Sequence, residues 1–274
     1  MMALCMFVAW LPYFVYFYPG TSNEDTVIML MEYNQIPSYI QSMSAVQGED
    51  IFITNHHPYI LTILFSWFVK SGQHFGDAAL GVACYVLIQM MLLALVYAGG
   101  LYYIHACGVT RKRMIGTLLL FMFIPVFPMY AICMLKDTFY ATFCLIFMLM
   151  MHYVARSKGQ AFRNVWFTIS FFFVACMMIL TKVYAMYILL IVGAVYLIKY
   201  RQQFVQIIAS VMLPVVLYKF VFCGMLLPAL NVAPGGLQEA LSVPFQQTAR
   251  YVTEYGDEVT AAEKKAINQI LPYK

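Results

Sequence analysis

The chain has 274 residues, of which 63% are hydrophobic and only 10% are charged, and its mean hydropathy is +0.78. This is too few polar side chains to cover the surface of a water-soluble globule of this size. The composition therefore excludes a soluble protein. The net charge of +4 comes from short basic runs. These lack the extended basic face that nucleic-acid binding requires, so we expect no nucleic-acid partner.

Apolar runs recur along the whole chain, and each is close to the roughly 20 residues that a helix needs to cross a bilayer. Because the runs are continuous and do not alternate with polar residues, they predict helices and not the strands of a barrel. The predicted fold is therefore all-α, a polytopic transmembrane helical bundle with about seven spans. The predicted spans are residues 1–18, 78–104, 115–135, 138–154, 165–181, 183–198 and 204–223.

The distribution of charge predicts which loops lie on which side of the membrane. The connections 106–114, 155–164 and 199–203 contain eight basic residues and no acidic residue, so the positive-inside rule places them in the cytoplasm. The N-terminus is then cytoplasmic, and the loop 19–77 and the tail from about residue 224 are extracytoplasmic. All twelve acidic residues of the chain fall in extracytoplasmic segments.

The loop 19–77 is long enough to be functional or disordered, and its mixed composition favours function. Ser22, with Asp25 three residues later, is typical of a helix start, and the helix is expected to end near Gln35. Asp25 is then either a carboxylate that caps this helix or a general base at the lipid–water boundary, and the two roles are compatible. Glu24 beside it would seek water or a binding partner.

The segment Pro58–Val69 is apolar, but about twelve residues are too few for a normal crossing. We expect an interfacial helix that lies at the outer face or dips into it. His56 and His57 directly precede this helix. They are either solvated or, placed opposite Asp25, available to bind a phosphate or a metal ion.

Lys136 and Asp137 interrupt an otherwise apolar stretch, where two predicted spans meet at the outer face. Such a pair either marks a hairpin turn or forms part of a functional site, because charges flanked so closely by apolar spans are costly. Lys182 interrupts the next pair of spans on the same side. Lys136 and Lys182 could therefore hold an anionic phosphate at that surface.

The tail is more polar than the rest of the chain. Residues 237–252 predict a helix that starts or is interrupted near Pro244 and carries Gln247 and Arg250, and Thr260 with Glu263 forms a capping box for a further helix.

The sequence is therefore expected to contain a transmembrane bundle, 1–223, and an extracytoplasmic helical segment, 224–274. The latter has the character of the start of a truncated region, which predicts that the chain is a fragment. The seven cysteines show neither metal-ligand spacing nor a disulfide framework.

Four features in this order resemble the membrane glycosyltransferases of the C superfamily (the GT-C fold), and most closely an uncharacterised group of large Gram-positive multi-pass membrane proteins. The features are Pro19-Gly20 followed by Asp25, Asn55-His56-His57-Pro58, Lys136-Asp137 at the start of a span, and Leu241-Ser-Val-Pro-Phe-Gln-Gln-Thr-Ala-Arg250-Tyr.

The resemblance implies an inverting enzyme of the cell membrane that moves a sugar from a polyprenyl-phosphate donor to an extracytoplasmic glycan or protein of the cell envelope. Asp25 would be the base or the acidic residue that orients the acceptor, and Asp137 would be the acidic residue of the second loop. Both would be catalytic, and a divalent metal, Mg or Mn, could take part. The residues expected to bind substrate are Glu24, His56, His57, Lys136, Lys182, Gln247 and Arg250.

Two other classes remain open. A non-catalytic multi-pass assembly or binding protein needs no ordered set of acids, histidines and lysines. A transporter would normally place charges or broken helices at mid-membrane depth, whereas the charges here gather at the ends of the spans.

Overall fold

A computed structural model describes residues 1–38, 53–234, 242–256 and 258–268. Within these ranges most of the chain is helical, which confirms the all-α prediction. The helices are α1 (Met2–Tyr16), α2 (Glu24–Tyr33), α3 (Tyr59–His74), α4 (Ala78–Ala106), α5 (Arg111–Phe123), α6 (Val126–Ala131), α7 (Lys136–Arg156), α8 (Val165–Thr181), α9 (Ala185–Lys199), α10 (Arg201–Ala229), α11 (Ser242–Tyr255) and α12 (Ala261–Asn268). In this part of the chain, one pair of two-residue strands, β1 (Thr21–Ser22) and β2 (Cys133–Met134), runs parallel.

Among the described residues, three helices, α4, α7 and α10, are long and apolar enough to cross a membrane. Three shorter apolar helices, α1, α8 and α9, coincide with further predicted spans. Apolar helices of this kind support association with a lipid bilayer. The count of seven crossings stays a prediction.

The predicted span 115–135 is not a single helix. It divides into α5 and α6 at Ile124 and Pro125, where Ile124 has an extended backbone with φ −74° and ψ 120°. Proline disfavours the helical conformation of the residue before it and has no N–H to donate, which ends α5 here. After α6 the chain straightens into β2.

Two predicted boundaries also move. The interfacial segment Pro58–Val69 coincides with the start of the longer α3, which begins at Tyr59 and continues through Lys70 to His74. The Lys70 ammonium lies 4.4 Å from the centre of the Tyr33 ring, so its charge has a partner beside the helix. The last span does not end at residue 223, since α10 runs through Gly224 to Ala229. One glycine inside a helix costs only about 1 kcal/mol, which neighbouring apolar contacts can outweigh.

Helices α3 and α4 form an antiparallel hairpin with a very close approach at its base. A Cβ atom added to Gly81 would lie 2.0 Å from the carbonyl oxygen of Phe68, so only glycine fits there. Further along, the rings of Phe65 and Phe68 pack against Tyr85, with ring centres 4.9 and 5.5 Å apart. The short apolar segment is thus held along the first half of α4.

Two clusters of buried apolar side chains form the interior. One belongs mainly to α7, α8, α9 and α10, and the other to α1, α3, α4 and the chain around β2. Phe139 of α7 packs against both clusters. At the far end of α7, His152 Nδ1 lies 2.7 Å from the Tyr103 hydroxyl of α4, so the basic connections after these helices lie at the end opposite Lys136.

The tail is described in part. The segment 237–241 of the predicted tail helix and the expected helix end before Pro272 lie outside the described residues. The capping box is confirmed, because Glu263 Oε2 accepts hydrogen bonds from the backbone N–H and the hydroxyl of Thr260, at 2.8 and 2.7 Å.

Candidate functional site

Asp25 lies in the first turn of α2, but it does not cap the helix. The sequence predicts Ser22 as the N-cap, but the N-cap is Asn23, so the helix begins one residue later than expected. Asn23 Oδ1 accepts a hydrogen bond from Thr26 N at 3.0 Å. An asparagine side chain reaches this N–H as well as serine does. The helix also ends at Tyr33, earlier than Gln35, whose φ of +59° is left-handed. The Asp25 carboxylate is therefore free for another partner.

That partner is Lys136, the first residue of α7. Lys136 Nζ lies 2.9 Å from Asp25 Oδ2 and 2.9 Å from His57 Nδ1. The ammonium thus joins α2, the residue before Pro58 and α7. Three segments that are far apart in the sequence meet at one nitrogen atom.

A second ion pair lies beside the first. Lys182, at the end of α8, donates a hydrogen bond to Asp137 Oδ1, and its ammonium lies 5.8 Å from the centre of the Tyr140 ring. Lys182 and Asp137 are 38% and 41% exposed, whereas in the first pair Asp25 is 36% exposed and Lys136 only 17%. The second pair is therefore open to solvent and the first is more enclosed.

Backbone pairing holds these segments in register. Thr21 N donates to Ile132 O at 3.0 Å, and the Thr26 hydroxyl donates to Met134 O. From α4, Gln89 Nε2 donates to the carbonyl oxygens of Ala131 and Cys133, both at 2.8 Å. The irregular stretch before α7 is thereby fixed against α2 and α4, which positions Lys136 opposite Asp25.

The loop before His56 is tied to the end of α10. Thr54 forms an isolated parallel bridge with Ala233, and Asn55 N donates to Ala233 O at 2.8 Å. The side chain of Thr54 faces α2, where the fully buried Glu32 accepts a hydrogen bond from the Thr54 hydroxyl at 2.7 Å.

The environment changes the protonation of two groups at the site. Burial alone would raise the pKa of Asp25, but the hydrogen bond and charge of Lys136, with the charges of His57 and His56, outweigh burial and lower it below 3.8. Burial and the positive charge of Lys136 lower the pKa of His57 to about 3. At neutral pH, Asp25 is ionised and His57 is uncharged.

The two ion pairs lie in the wall of a cavity of about 450 Å³. Its lining is formed by Asp25, Asn55, His56, Pro58, Lys136, Asp137, Ile179, Leu180, Thr181, Lys182, Val183, Tyr184, Tyr218 and Phe222. A second cavity, of about 240 Å³, is entirely apolar and lies between α8 and α10. Ile179, Leu180, Tyr218 and Phe222 line both cavities, so the charged cavity leads into an apolar groove.

The structure brings together most of the residues expected at the site. Asp25, His56, Lys136, Asp137 and Lys182 line the cavity. His57 is fully buried behind the wall and contacts Lys136.

Three expected residues are not in the lining. Glu24 faces solvent on α2, and Gln247 and Arg250 are exposed on α11. Their roles in substrate binding stay predictions.

Sequence reasoning missed the aromatic side of the cavity. Tyr218 and Phe222 are four residues apart on α10, so both lie on one helix face, and their rings stack with centres 5.5 Å apart. The signal was the Tyr-x-x-x-Phe spacing in an apolar span, which is indistinguishable in sequence from ordinary lipid-facing or packing residues.

The donor set offers little for a metal ion. Among the described residues, no group of three or more histidine, cysteine or acidic side chains lies close enough to hold one. Lys136 occupies Asp25 and His57, and Lys182 occupies Asp137. The expectation of Mg or Mn stays a prediction, and no step below depends on it.

The fold and the site define a class: an α-helical protein with helices long and apolar enough to span a bilayer and a charged cavity that leads into an apolar groove. The chain belongs to the DUF6020 family, a family of unknown function, which it matches over residues 1–274. No curated protein matches the chain. No solved structure matches it either.

Proposed function

We propose that this protein is a membrane glycosyltransferase of the GT-C type that moves a sugar from a polyprenyl-phosphate donor to an extracytoplasmic acceptor. The observation that carries the proposal is the junction of the charged cavity with the apolar groove. A lipid-linked sugar phosphate needs both surfaces at once: an apolar path for the isoprenoid chain and cations for the phosphate.

The polyprenyl chain would lie between α8 and α10, against Leu180 and Phe222, and would enter from the bilayer. Its phosphate would then reach the charged cavity, where Lys136 and Lys182 supply positive charge. Direct hydrogen bonds from these ammonium groups favour a phosphate oxygen that gains negative charge during the reaction.

Asp25 would act on the acceptor. Its Oδ2 pairs with Lys136, so the other carboxylate oxygen would accept the proton of an acceptor hydroxyl. The hydroxyl oxygen forms a bond to the anomeric carbon as the bond from that carbon to the phosphate oxygen breaks. The bonding electrons leave with the phosphate, whose charge Lys136 and Lys182 offset. Attack opposite the leaving group inverts the anomeric centre.

Asp137 would act through Lys182. Its carboxylate holds that ammonium at the cavity wall, next to the path that the phosphate would take. The acceptor would be a glycan or protein of the cell envelope, because the proposed topology opens the cavity to the extracytoplasmic side.

This topology has seven crossings, with the N-terminus in the cytoplasm and the loop 19–77 and the tail outside. Its support is the separation of charge in the fold. The ion pairs lie at the start of α7 and the end of α8, while Arg156 and Arg163 lie near the opposite ends of these two helices.

The purified protein in liposomes, given a polyprenyl-phosphate sugar with a radiolabelled sugar and a cell-envelope glycan acceptor, should release labelled glycan. The matched control replaces the donor by the corresponding nucleotide sugar, which has no isoprenoid chain and should give no product. Tight binding of the donor without transfer would contradict an enzyme and would support the non-catalytic binding protein. Transfer from the nucleotide sugar would contradict the assigned donor.

A further inference from the structure

His57 is a buried polar side chain that the proposed chemistry does not use directly. It is 0% exposed, immediately precedes Pro58 at the start of α3, and lies outside the cavity lining. Its hydrogen bond within the described residues goes from Lys136 Nζ to its Nδ1. A buried histidine with one specific contact to a charged site residue calls for a physical reason.

The chemistry of this contact fixes the form of the imidazole. An ammonium group has only donors, so His57 Nδ1 must accept the hydrogen bond and the ring proton must be on Nε2. His57 Nε2 is buried and has no hydrogen-bond partner among the described residues. Within the described residues, the imidazole thus has its acceptor nitrogen directed at Lys136 and its N–H without a partner.

The geometry at Lys136 leaves one donor over. The ammonium carries three protons, of which one is directed at Asp25 Oδ2 and one at His57 Nδ1. Lys136 also lines the cavity. The third proton is the one that remains for a ligand in the cavity.

We infer that His57 is a positioning residue that holds Lys136 so that its remaining N–H binds a phosphate oxygen in the cavity. This inference rests on the proposed function for the lipid-linked character of that phosphate. A free lysine side chain has four rotatable bonds, which must be ordered when its ammonium binds a phosphate. Two fixed acceptors order it in advance and reduce that entropic cost.

Two amides distinguish the two nitrogen atoms of His57. The side-chain oxygen of asparagine falls near the position of Nδ1, whereas that of glutamine falls near the position of Nε2. His57→Asn should therefore keep an acceptor for Lys136, and His57→Gln should lose it. His57→Phe fills the volume with no acceptor at all.

The measurement is the Kd of decaprenyl phosphate for the purified protein in nanodiscs, with inorganic phosphate and decaprenol as separate probes. His57→Asn should bind decaprenyl phosphate within about threefold of wild type, and His57→Gln and His57→Phe should bind it roughly tenfold or more weakly, as expected for a hydrogen bond to a charged group. Decaprenol, which lacks the phosphate, should bind all variants alike. If the Kd values for inorganic phosphate follow the same order across the variants, the site binds phosphate from any source. If only the Kd values for decaprenyl phosphate follow this order, the site is specific for the lipid-linked phosphate.

The inference is overturned if His57→Gln retains affinity while His57→Asn loses it, or if all three variants lose affinity together with thermal stability. It is also overturned if wild type binds neither phosphate. If the Kd values for decaprenyl phosphate follow the expected order across the variants but wild type transfers no sugar, the proposed function alone is refuted. Transfer by wild type with the order of variants reversed refutes the role of His57 alone.

Discussion

Each carboxylate in the cavity wall is held by a lysine, and the two pairs differ in their surroundings. Asp25 and Lys136 are the more enclosed pair, and His57 completes the contacts of Lys136. Asp137 and Lys182 are open to solvent. Exposed ion pairs contribute little to stability, typically about 0–1 kcal/mol. The Lys182 pair therefore contributes little to the stability of the fold, and Lys182 can be substituted to test its proposed role in binding phosphate.

Lys182→Met should weaken binding of decaprenyl phosphate by roughly tenfold, since a cation at the phosphate is lost. The midpoint of thermal unfolding should change little, because the pair is exposed. Lys112→Met is the matched control, because Lys112 is an exposed lysine in the first turn of α5, and this substitution should leave the Kd unchanged. Equal effects of the two substitutions would show that the lysine at the cavity has no special part in binding.

The low pKa of His57 predicts a pH dependence of stability. Its pKa is about 3 in the folded protein and near 6.5 when unfolded, so between these values the unfolded chain binds more protons. The stabilisation is fully present above pH 6.5 and is lost as the pH falls from 6.5 towards 3. His57→Asn removes this group, so its unfolding temperature should fall less than that of wild type between pH 7 and pH 4.

The comparison stays above pH 4 because Asp25, whose pKa lies below 3.8, contributes in the same direction only at lower pH. Identical pH dependence of wild type and His57→Asn over this window would mean that His57 is not buried in its neutral form.

Among the elements, the hairpin of α3 and α4 supports the site from one side. Its start carries His57, and Gln89 of α4 holds the carbonyl groups before Lys136. Its base depends on contact between Gly72 and Gly81, where a Cβ atom on Gly72 would lie 2.4 Å from Gly81 N. Close packing at one end therefore helps to set the position of the residues at the other.

Gly81→Ala should destabilise the protein by about 1–3 kcal/mol, because the added methyl group has no space. Gly99→Ala in the same helix is the control, since a Cβ atom there meets nothing within 4 Å. Its thermal unfolding midpoint should equal or exceed that of wild type, as alanine favours helices. A Gly81→Ala protein as stable as Gly99→Ala would show that the hairpin packs differently.

For the molecule as a whole, the separation of charge predicts how it lies in the membrane. Acidic residues with their lysines occupy one end of the helices, and basic residues gather at the other end, where α4 is followed by α5, α7 by α8 and α9 by α10. The bilayer interior tolerates neither set, so each end must face an aqueous phase. Lys219 of α10 is exposed beside Tyr218, at the level of the cavity, from which its ammonium can reach the interface.

The topology can be measured by labelling with a membrane-impermeant maleimide in a background where the native cysteines are replaced by serine. Glu24→Cys should be labelled on intact cells, whereas Gln160→Cys should be labelled only after the membrane is opened; both positions are exposed in the fold. The reverse pattern would invert the topology, and the charged cavity would then open to the cytoplasm.

Sequence predicted those features that depend on local composition. Long apolar runs gave most of the helices, and interruptions by charge marked Lys136, Asp137 and Lys182 as site candidates. The presence of Pro125 indicated a helix break, but the apolar run around it favoured one continuous span.

Pairings between distant segments could not be predicted. In sequence, Lys136 could pair with its neighbour Asp137. Both residues lie in the first turn of α7, where adjacent side chains point in different directions. The parallel strands bring Asp25 to Lys136 instead. Asp137 then pairs with Lys182 across two helices. The sequence left His57 either solvated or available as a ligand, because the pattern His-His-Pro says nothing about burial, and the structure buries it. Tyr218 and Phe222 carried no signal beyond hydrophobicity.

The most direct measurement compares sugar transfer from a polyprenyl-phosphate donor by wild type, Asp25→Asn and Glu24→Gln in liposomes. Glu24 is the adjacent acid, exposed and outside the cavity lining, so it controls for the loss of a charge at the start of α2. If Asp25 is the base, Asp25→Asn should lower the transfer rate by about a hundredfold or more, and Glu24→Gln should not. Undiminished transfer by Asp25→Asn would contradict the proposed mechanism.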